Sequence, residues 1–456
     1  MHSSDGPRPT PSLSTFDVVC LILGTVIGAG IFKAPSVVAG HSGSVSDFLL
    51  VWALGGLISV GGALCYAELA SSYPHAGGEY HFLSRAFGKH LAFFYAWARS
   101  TVIITGSIAI LAITLGDYMT TIVPLGPYSG YLWALIAITA VSALNLLGIR
   151  ESTRVHNAMT VLEVLGIVAI VYAGFSVNGI DSMGDLLARQ SASTEYGLAM
   201  VFVLLTFGGW NEVSYLSAEM RDTRRGISRA LIWGLGGVTL LYLLANLAYL
   251  HALGLQGMAR SNAVASDVFT LAFGKGSAMV FSVIVILSCL NSLNATMIFG
   301  ARSAFAMGQD FRSFAWLGRW HSSGHPRNSL IVQMLVALAV VGLASITRQG
   351  FETVVEFTAP VFWSFILLVG VALVVLRSRH PDLQRPFKVP LYPWLPLGFI
   401  AVTGWMLWSS LVYTGLGALV GVAVLVCGLI PLGWDTLREG SIGPRAQGMS
   451  GRSSDA

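Results

Sequence analysis

Charge is what this chain has least of. Only 11% of its 456 residues are Asp, Glu, Lys or Arg, where a soluble domain carries about 25%. The 48 charges cannot keep a 48.5 kDa body of mean hydropathy +0.71 in water. That excludes a soluble multidomain enzyme, a disordered chain and a nucleic-acid binder together. Cysteine is also scarce. All four, Cys20, Cys65, Cys289 and Cys427, fall inside apolar runs, so four free membrane-buried thiols are expected rather than a loop disulfide. The first 14 residues, MHSSDGPRPTPSLS, are polar and broken by proline. They lack the apolar centre of a cleavable signal, and the first apolar run is expected to stay as a membrane helix. The spans hold no HExxH, no CxxC and no Ser/His or Cys/His pair at matching depth, and the glycine motifs follow no strand. Neither an enzyme, a metal site nor a cofactor is expected. His81, His90 and His156 stand close to loops, where they read as interfacial.

What the chain has instead is apolar runs of about 20 residues, each long enough to cross the hydrocarbon as a helix. Twelve are expected, at 16–39, 48–71, 91–120, 131–148, 156–176, 197–220, 228–252, 277–307, 328–346, 353–376, 394–413 and 415–435. Basic residues set the orientation. With the amino terminus in the cytoplasm, 20 of the 26 Lys and Arg fall on inner segments and four on outer loops: Arg189, Arg260, Lys275 and Arg348. Lys33 and Arg99 lie within spans. Both termini are expected in the cytoplasm, and the membrane is expected to be the cytoplasmic one.

Two runs are unsuited to being simple helices. The first has Gly24, Gly28, Gly30 and Pro35 in or near its middle, and the sixth has Gly208 and Gly209 followed by Asn211 and Glu212. Interior glycine costs a helix about 1 kcal/mol relative to alanine. Opened backbone is tolerated at membrane depth only where it lines a cavity. Close helix packing through GxxxG explains either cluster alone. Clusters in corresponding positions of two five-helix halves point to an inverted repeat with a site at the midplane.

At these residues the chain resembles the amino acid–polyamine–organocation transporters. GTVIGAGIF at 24–32 is similar to their first-helix signature. YAELA at 66–70, GGEYHFLSRAFG at 77–88, FGGWN at 207–211, AEM at 218–220 and RPFKVPLYPWLP at 385–396 follow in order. The pattern is nearest the L-type amino acid transporters and their bacterial serine/threonine-exchanger-like members. The resemblance covers about residues 15–435. It implies an all-α polytopic protein of the LeuT-type fold, with twelve transmembrane helices: two inverted five-helix repeats plus two C-terminal helices. The expected division is a tail at 1–15, a first repeat at 16–176, an outer loop at 177–196, a second repeat at 197–376, a loop with helices 11 and 12 at 377–435, and a tail at 436–456.

The resemblance also implies a substrate site. The carboxylate of an amino acid would meet the free N–H groups at Gly28, Ala29 and Gly30, where a helix amino terminus favours an anion. The ammonium would meet carbonyls of Val26, Leu205 and Gly208, with Phe207, Gly209 and Trp210 beside them. Asn291, Phe362 and Trp363 would shape the side-chain pocket or gate, although each is also an ordinary packing residue. Leu205 stands where L-type relatives place a gating phenylalanine, and Phe362 where some carry asparagine.

Buried ionisable groups are few, so each is a candidate for function. Glu68 and Glu219 sit near inner ends and suit pairing with loop arginines. Glu212 either faces the pathway or caps open amides, Glu356 snorkels or gates, and Lys33 reaches the outer vestibule. Glu163 replaces the lysine usual in L-type relatives. Either it bridges Arg99 at similar depth, or it is a proton site beside the first-helix break. The expected activity is amino acid exchange, with proton-coupled uptake as the alternative. A channel or an intramembrane enzyme finds no support in the pattern. The loop at 121–130, TIVPLGPYSG, contains no cysteine, so no disulfide-linked heavy chain is expected.

Overall fold

A computed structural model describes residues 14–28, 30–75, 77–147, 153–177, 193–219, 226–261, 263–319, 326–346, 350–414 and 418–434. Among these the chain is helical throughout and contains no strand.

Helix α1 (Thr15–Val26) starts where Ser14 and Asp17 cap each other: the Asp17 N–H donates to Ser14 Oγ at 3.2 Å and the Ser14 N–H to the Asp17 carboxylate at 3.0 Å. It stops at Ile27, whose backbone leaves the helical region. Helix α2 (Gly30–Gly40) resumes beyond the break and carries Pro35. The two are bent by 45° and together make one span. Helix α3 (Val45–Ser72) crosses unbroken. Next come a short helix α4 (Gly78–Phe87), then α5 (Lys89–Ala98), a π-helical turn at Arg99–Ile103, and α6 (Ile104–Ile122). Helices α7 (Ser129–Leu146) and α8 (Thr153–Ser176) complete the first half.

The second half begins with α9 (Tyr196–Thr206). It ends in a turn at Phe207–Gly209 and continues as a 3₁₀ segment, Trp210–Glu219. Helix α10 (Gly226–Arg260) is bent at Gly254, then α11 (Val264–Phe273), α12 (Lys275–Asp310), α13 (Arg327–Ala344) and α14 (Gly350–Arg379) follow. Helices α15 (Trp394–Thr414) and α16 (Ala418–Cys427) close the chain. Among the described residues nine helices are long and apolar enough to cross a membrane, and the α1–α2 pair makes ten. Expected spans six and twelve appear as shorter apolar helices: α9, and an apolar stretch at Gly421–Trp434.

The two halves repeat one device that hydropathy alone does not reveal. A short helix packs ahead of the third span of each half, and each is joined to that span by a left-handed glycine: Gly88 (φ 95°) between α4 and α5, Gly274 (φ 84°) between α11 and α12. Glycine takes that backbone region without steric cost. Sequence reading left both segments as loops because each is only ten residues long. Around the breaks, α1 packs against α8, α10 and α12, while α2 packs against α9 and α10. Cys20, Cys65 and Cys289 are buried free thiols, and Cys427 is a free thiol on the outer face of α16.

Candidate substrate site

A cavity of about 160 Å³ lies between the two breaks. The α1–α2 break contributes Val26, Gly28 and Gly30, and the end of α9 contributes Leu205, Gly208 and Gly209. Phe362 on α14 and Glu212 on the 3₁₀ segment complete the candidates brought together there. Polar atoms come from Thr25, Ser107, Thr206, Asn211, Thr296 and Thr358, set among apolar walls from Ile103, Ile110, Leu111 and Val355. The mixture suits a zwitterion with an uncharged side chain. Ala29 lies outside the described residues.

The breaks meet because their glycines let them. A β-carbon on Gly30 would lie 2.7 Å from Thr206 Cγ2 and 3.0 Å from Thr206 Cα. One on Gly209 would lie 2.9 Å from the carbonyl oxygen of Thr25, and Gly209 has φ 105°. Gly30 is therefore small for helix packing, because α9 crosses it, whatever it also admits as a ligand. Gly28 faces softer neighbours, Ser292 Oγ at 3.2 Å and a Leu111 methyl at 3.3 Å.

Opened backbone leaves carbonyls to satisfy, and neighbouring helices do so. Tyr242 on α10 donates its hydroxyl to the Val26 carbonyl at 2.7 Å and approaches that of Thr206 at 3.4 Å. Ser288 donates to Ile27 at 3.2 Å and Ser292 to Gly24 at 2.9 Å, both from α12. The Val26 carbonyl also accepts the Gly28 N–H at 2.8 Å, and that of Leu205 accepts the Gly208 N–H at 3.0 Å. Sequence reasoning missed Tyr242, Ser288 and Ser292. Polar residues on otherwise apolar helices were the available signal.

Other candidates stand outside the cavity wall. Phe207 is buried against Trp52 and Tyr242. Trp210 packs edge-on against Tyr66, 5.0 Å between centroids. Trp363 lies against Phe362 with its indole N–H buried and without a protein acceptor. Asn291 donates to Glu163 Oε1 at 3.0 Å, tying α12 to α8.

Of the two alternatives for Glu163, a bridge to Arg99 is not what Arg99 makes: it sits at the start of the π turn in a buried network beside the cavity. Its guanidinium bonds the Glu212 carboxylate, donates to Ser303 Oγ at 2.7 Å, comes within 3.6 Å of Glu79 and lies 4.6 Å from the Tyr215 ring centre. Glu79, on α4, accepts from Tyr66 at 2.6 Å, from Asn211 at 3.2 Å and from Tyr95. Similar sequence depth pointed to a partner on α8, whereas α5 and the π turn pack against α4, α12 and α14. Glu79 and Tyr66 stand in sequence motifs whose chemistry had gone unassigned. At the end of the bundle where α3 finishes, Glu68 pairs with Arg377 at 3.4 Å and Arg385 at 3.2 Å. At the opposite end Lys33 pairs with Asp117 at 3.2 Å.

Two interrupted spans facing each other across a cavity, inside a bundle of apolar helices, define a multi-pass membrane transporter of the broken-helix kind. The chain belongs to the amino acid permease family, which it matches over residues 13–430. That family consists of transporters and fits the LeuT-type fold. Over 410 residues the chain is 27% identical to the b(0,+)-type amino acid transporter 1 of Mus musculus, covering 86% of this chain and 81% of the relative. It is 26% identical over 434 residues to the serine/threonine exchanger SteT of Bacillus subtilis, covering 93% and 97%. To the large neutral amino acids transporter small subunit 2 of Homo sapiens it is 29% identical over 428 residues, covering 90% and 78%.

Proposed function

We propose that this transporter exchanges neutral amino acids across the cytoplasmic membrane by alternating access. The observation that carries the reading is the cavity shared by the α1–α2 break and the end of α9. The carboxylate would sit at the amino terminus of α2, around Gly28–Ala29–Gly30, where the first N–H groups of a helix have no partner in its own ladder; the Gly28 N–H, which donates to Val26, would have to turn to the ligand. The ammonium would take the Val26 carbonyl together with those of Leu205 and Gly208. Because Val26 already accepts two donors, the ammonium displaces the rotatable hydroxyl of Tyr242 rather than meeting an empty acceptor. Trp363, Phe207, Trp210 and Asn291 then support the wall from behind, and Phe362 bounds it.

Two relatives support the substrate class through their names, one a serine/threonine exchanger and one a transporter of large neutral amino acids. Their names also separate the small polar from the large apolar end of the neutral class. In this chain, Leu205 and Phe362 narrow a cavity that Ser107, Thr206 and Thr358 make polar. A small or medium neutral side chain fits that wall. The proposed frame is twelve spans with both termini in the cytoplasm, in repeats at 16–176 and 197–376. The protein is proposed to work as a single chain without a disulfide-linked heavy chain. Reconstitution with labelled neutral amino acids, in liposomes loaded or empty of substrate, tests the activity.

A further inference from the structure

Beneath the cavity one guanidinium serves two buried carboxylates. Arg99 and Glu79 are each almost fully buried, and the Glu212 side chain is 12% exposed. Six elements meet here. Helix α3 brings Tyr66, α4 brings Glu79, α5 and the π turn bring Tyr95 and Arg99, the 3₁₀ segment brings Asn211, Glu212 and Tyr215, and α12 brings Ser303. The neighbouring break and α14 meet the cavity beside Glu212 with Thr25, Thr358 and Phe362, none of which titrates. The titratable set is therefore Arg99, Glu79, Glu212 and three tyrosines.

Its charges do not balance. With both acids ionised, a region closed from water carries one net negative charge, which low dielectric makes costly. The two acids are also unequally supplied. Glu79 accepts from Tyr66, Tyr95, Asn211 and Tyr215, all donors that favour its ionised form. Among the described residues the Glu212 carboxyl accepts from Arg99 alone, and it is the acid that lines the cavity.

We infer that Glu212 is a proton-binding site coupled to closure of the inner side of the transporter. When the network is closed, Glu212 holds one proton as a neutral carboxylic acid that still accepts from Arg99, the Arg99 charge is balanced by Glu79 3.6 Å away, and the set is neutral. When the inner side opens and water reaches the cavity floor, the carboxyl releases its proton to the aqueous phase and remains as the carboxylate. The proton taken up on reclosing comes from the same phase, so one proton is bound and one released per cycle of the gate. Glu163, which accepts from Asn291 on α12 and does not line the cavity, serves as the comparison group.

The inference rests on the exchange reading only for its assay. Exchange at one fixed pH tests that reading, and the dependence of exchange on pH tests this one. Initial exchange rates are measured in proteoliposomes from pH 5 to 8 for the wild type, Glu212→Gln and Glu163→Gln. Wild type and Glu163→Gln are expected to share one titration, and Glu212→Gln to exchange at a rate independent of pH. A pH-dependent Glu212→Gln with the wild-type profile overturns the assignment, as does a wild type whose exchange does not vary with pH. Should Glu212→Gln fail to fold, proton uptake or release by the wild type is followed with a pH-sensitive dye in weakly buffered detergent when serine is added. A substrate-driven proton signal is expected, and its absence at saturating serine overturns the inference.

Discussion

Gly30 and Thr206 hold the two interrupted spans in contact: no β-carbon fits on Gly30 without meeting the Thr206 backbone, 3.0 Å from Thr206 Cα. Gly30→Val is expected to lose substrate binding and about 1–3 kcal/mol of stability through overpacking. Gly30→Ala combined with Thr206→Ser, which removes the methyl at 2.7 Å, should recover part of the stability. Thermal unfolding in detergent alongside ligand binding separates the effects. Wild-type values for Gly30→Val in both would show that the close approach is not needed.

Tyr242 reaches across from α10 to satisfy the Val26 carbonyl. Tyr242→Phe removes one hydrogen bond and should lower stability by about 1 kcal/mol. In the proposed site the same change frees an acceptor for the substrate ammonium, so binding is kept or strengthened while stability falls. Weaker binding in parallel with lost stability would speak against displacement of the hydroxyl.

Removing Arg99 leaves Glu79 and Glu212 buried without their cation. Arg99→Met is expected to cost about 3–5 kcal/mol, the range for breaking a buried ion pair. The double variant Arg99→Met, Glu212→Leu removes one acid as well and should be the more stable of the two. Equal stability would mean that the charges are paired elsewhere. Melting temperatures by intrinsic fluorescence provide the comparison.

Outside the spans, on α4, His81 stacks on His75 with ring centres 4.2 Å apart. Burial, then His75, then Arg85 push the His81 pKa down to about 4 from its ordinary value of 6.5. The unfolded chain therefore binds more protons than the folded one between those values. The stability that neutral His81 contributes is complete above about pH 6.5 and is lost as pH falls towards 4. His81→Phe should flatten that part of the stability–pH curve, whereas an unchanged slope would place the titration elsewhere.

Much of this frame was legible because membrane helices announce themselves by length. Nine of the twelve expected runs coincide with long helices, and the first and sixth broke where glycine predicted. Val26, Gly28, Gly30, Leu205, Gly208, Gly209 and Phe362 converge on one cavity for the same reason, since broken backbone needs one. What stayed hidden depends on side-chain direction. Arg99 and Glu163 are at similar sequence depth, but α5 and the π turn pack against α4, α12 and α14, and Arg99 bonds Glu212. Tyr242 sits in the middle of an apolar helix, where its hydroxyl is the one local signal and does not say which carbonyl it reaches. Helices α4 and α11 are too short for hydropathy to separate from loops.

The outer loop after α6 has no cysteine, and all four thiols are free. Non-reducing and reducing gels of native membranes should show the same single band. A species that shifts on reduction would reveal a covalent partner.

The central claim is exchange through the cavity between the breaks, and counterflow tests it most directly. Labelled serine or a larger neutral amino acid is offered to proteoliposomes preloaded with unlabelled substrate and to empty ones at equal pH. Uptake well above the empty control, and lost in Gly30→Val, is the result predicted. Equal uptake by loaded and empty vesicles would contradict exchange.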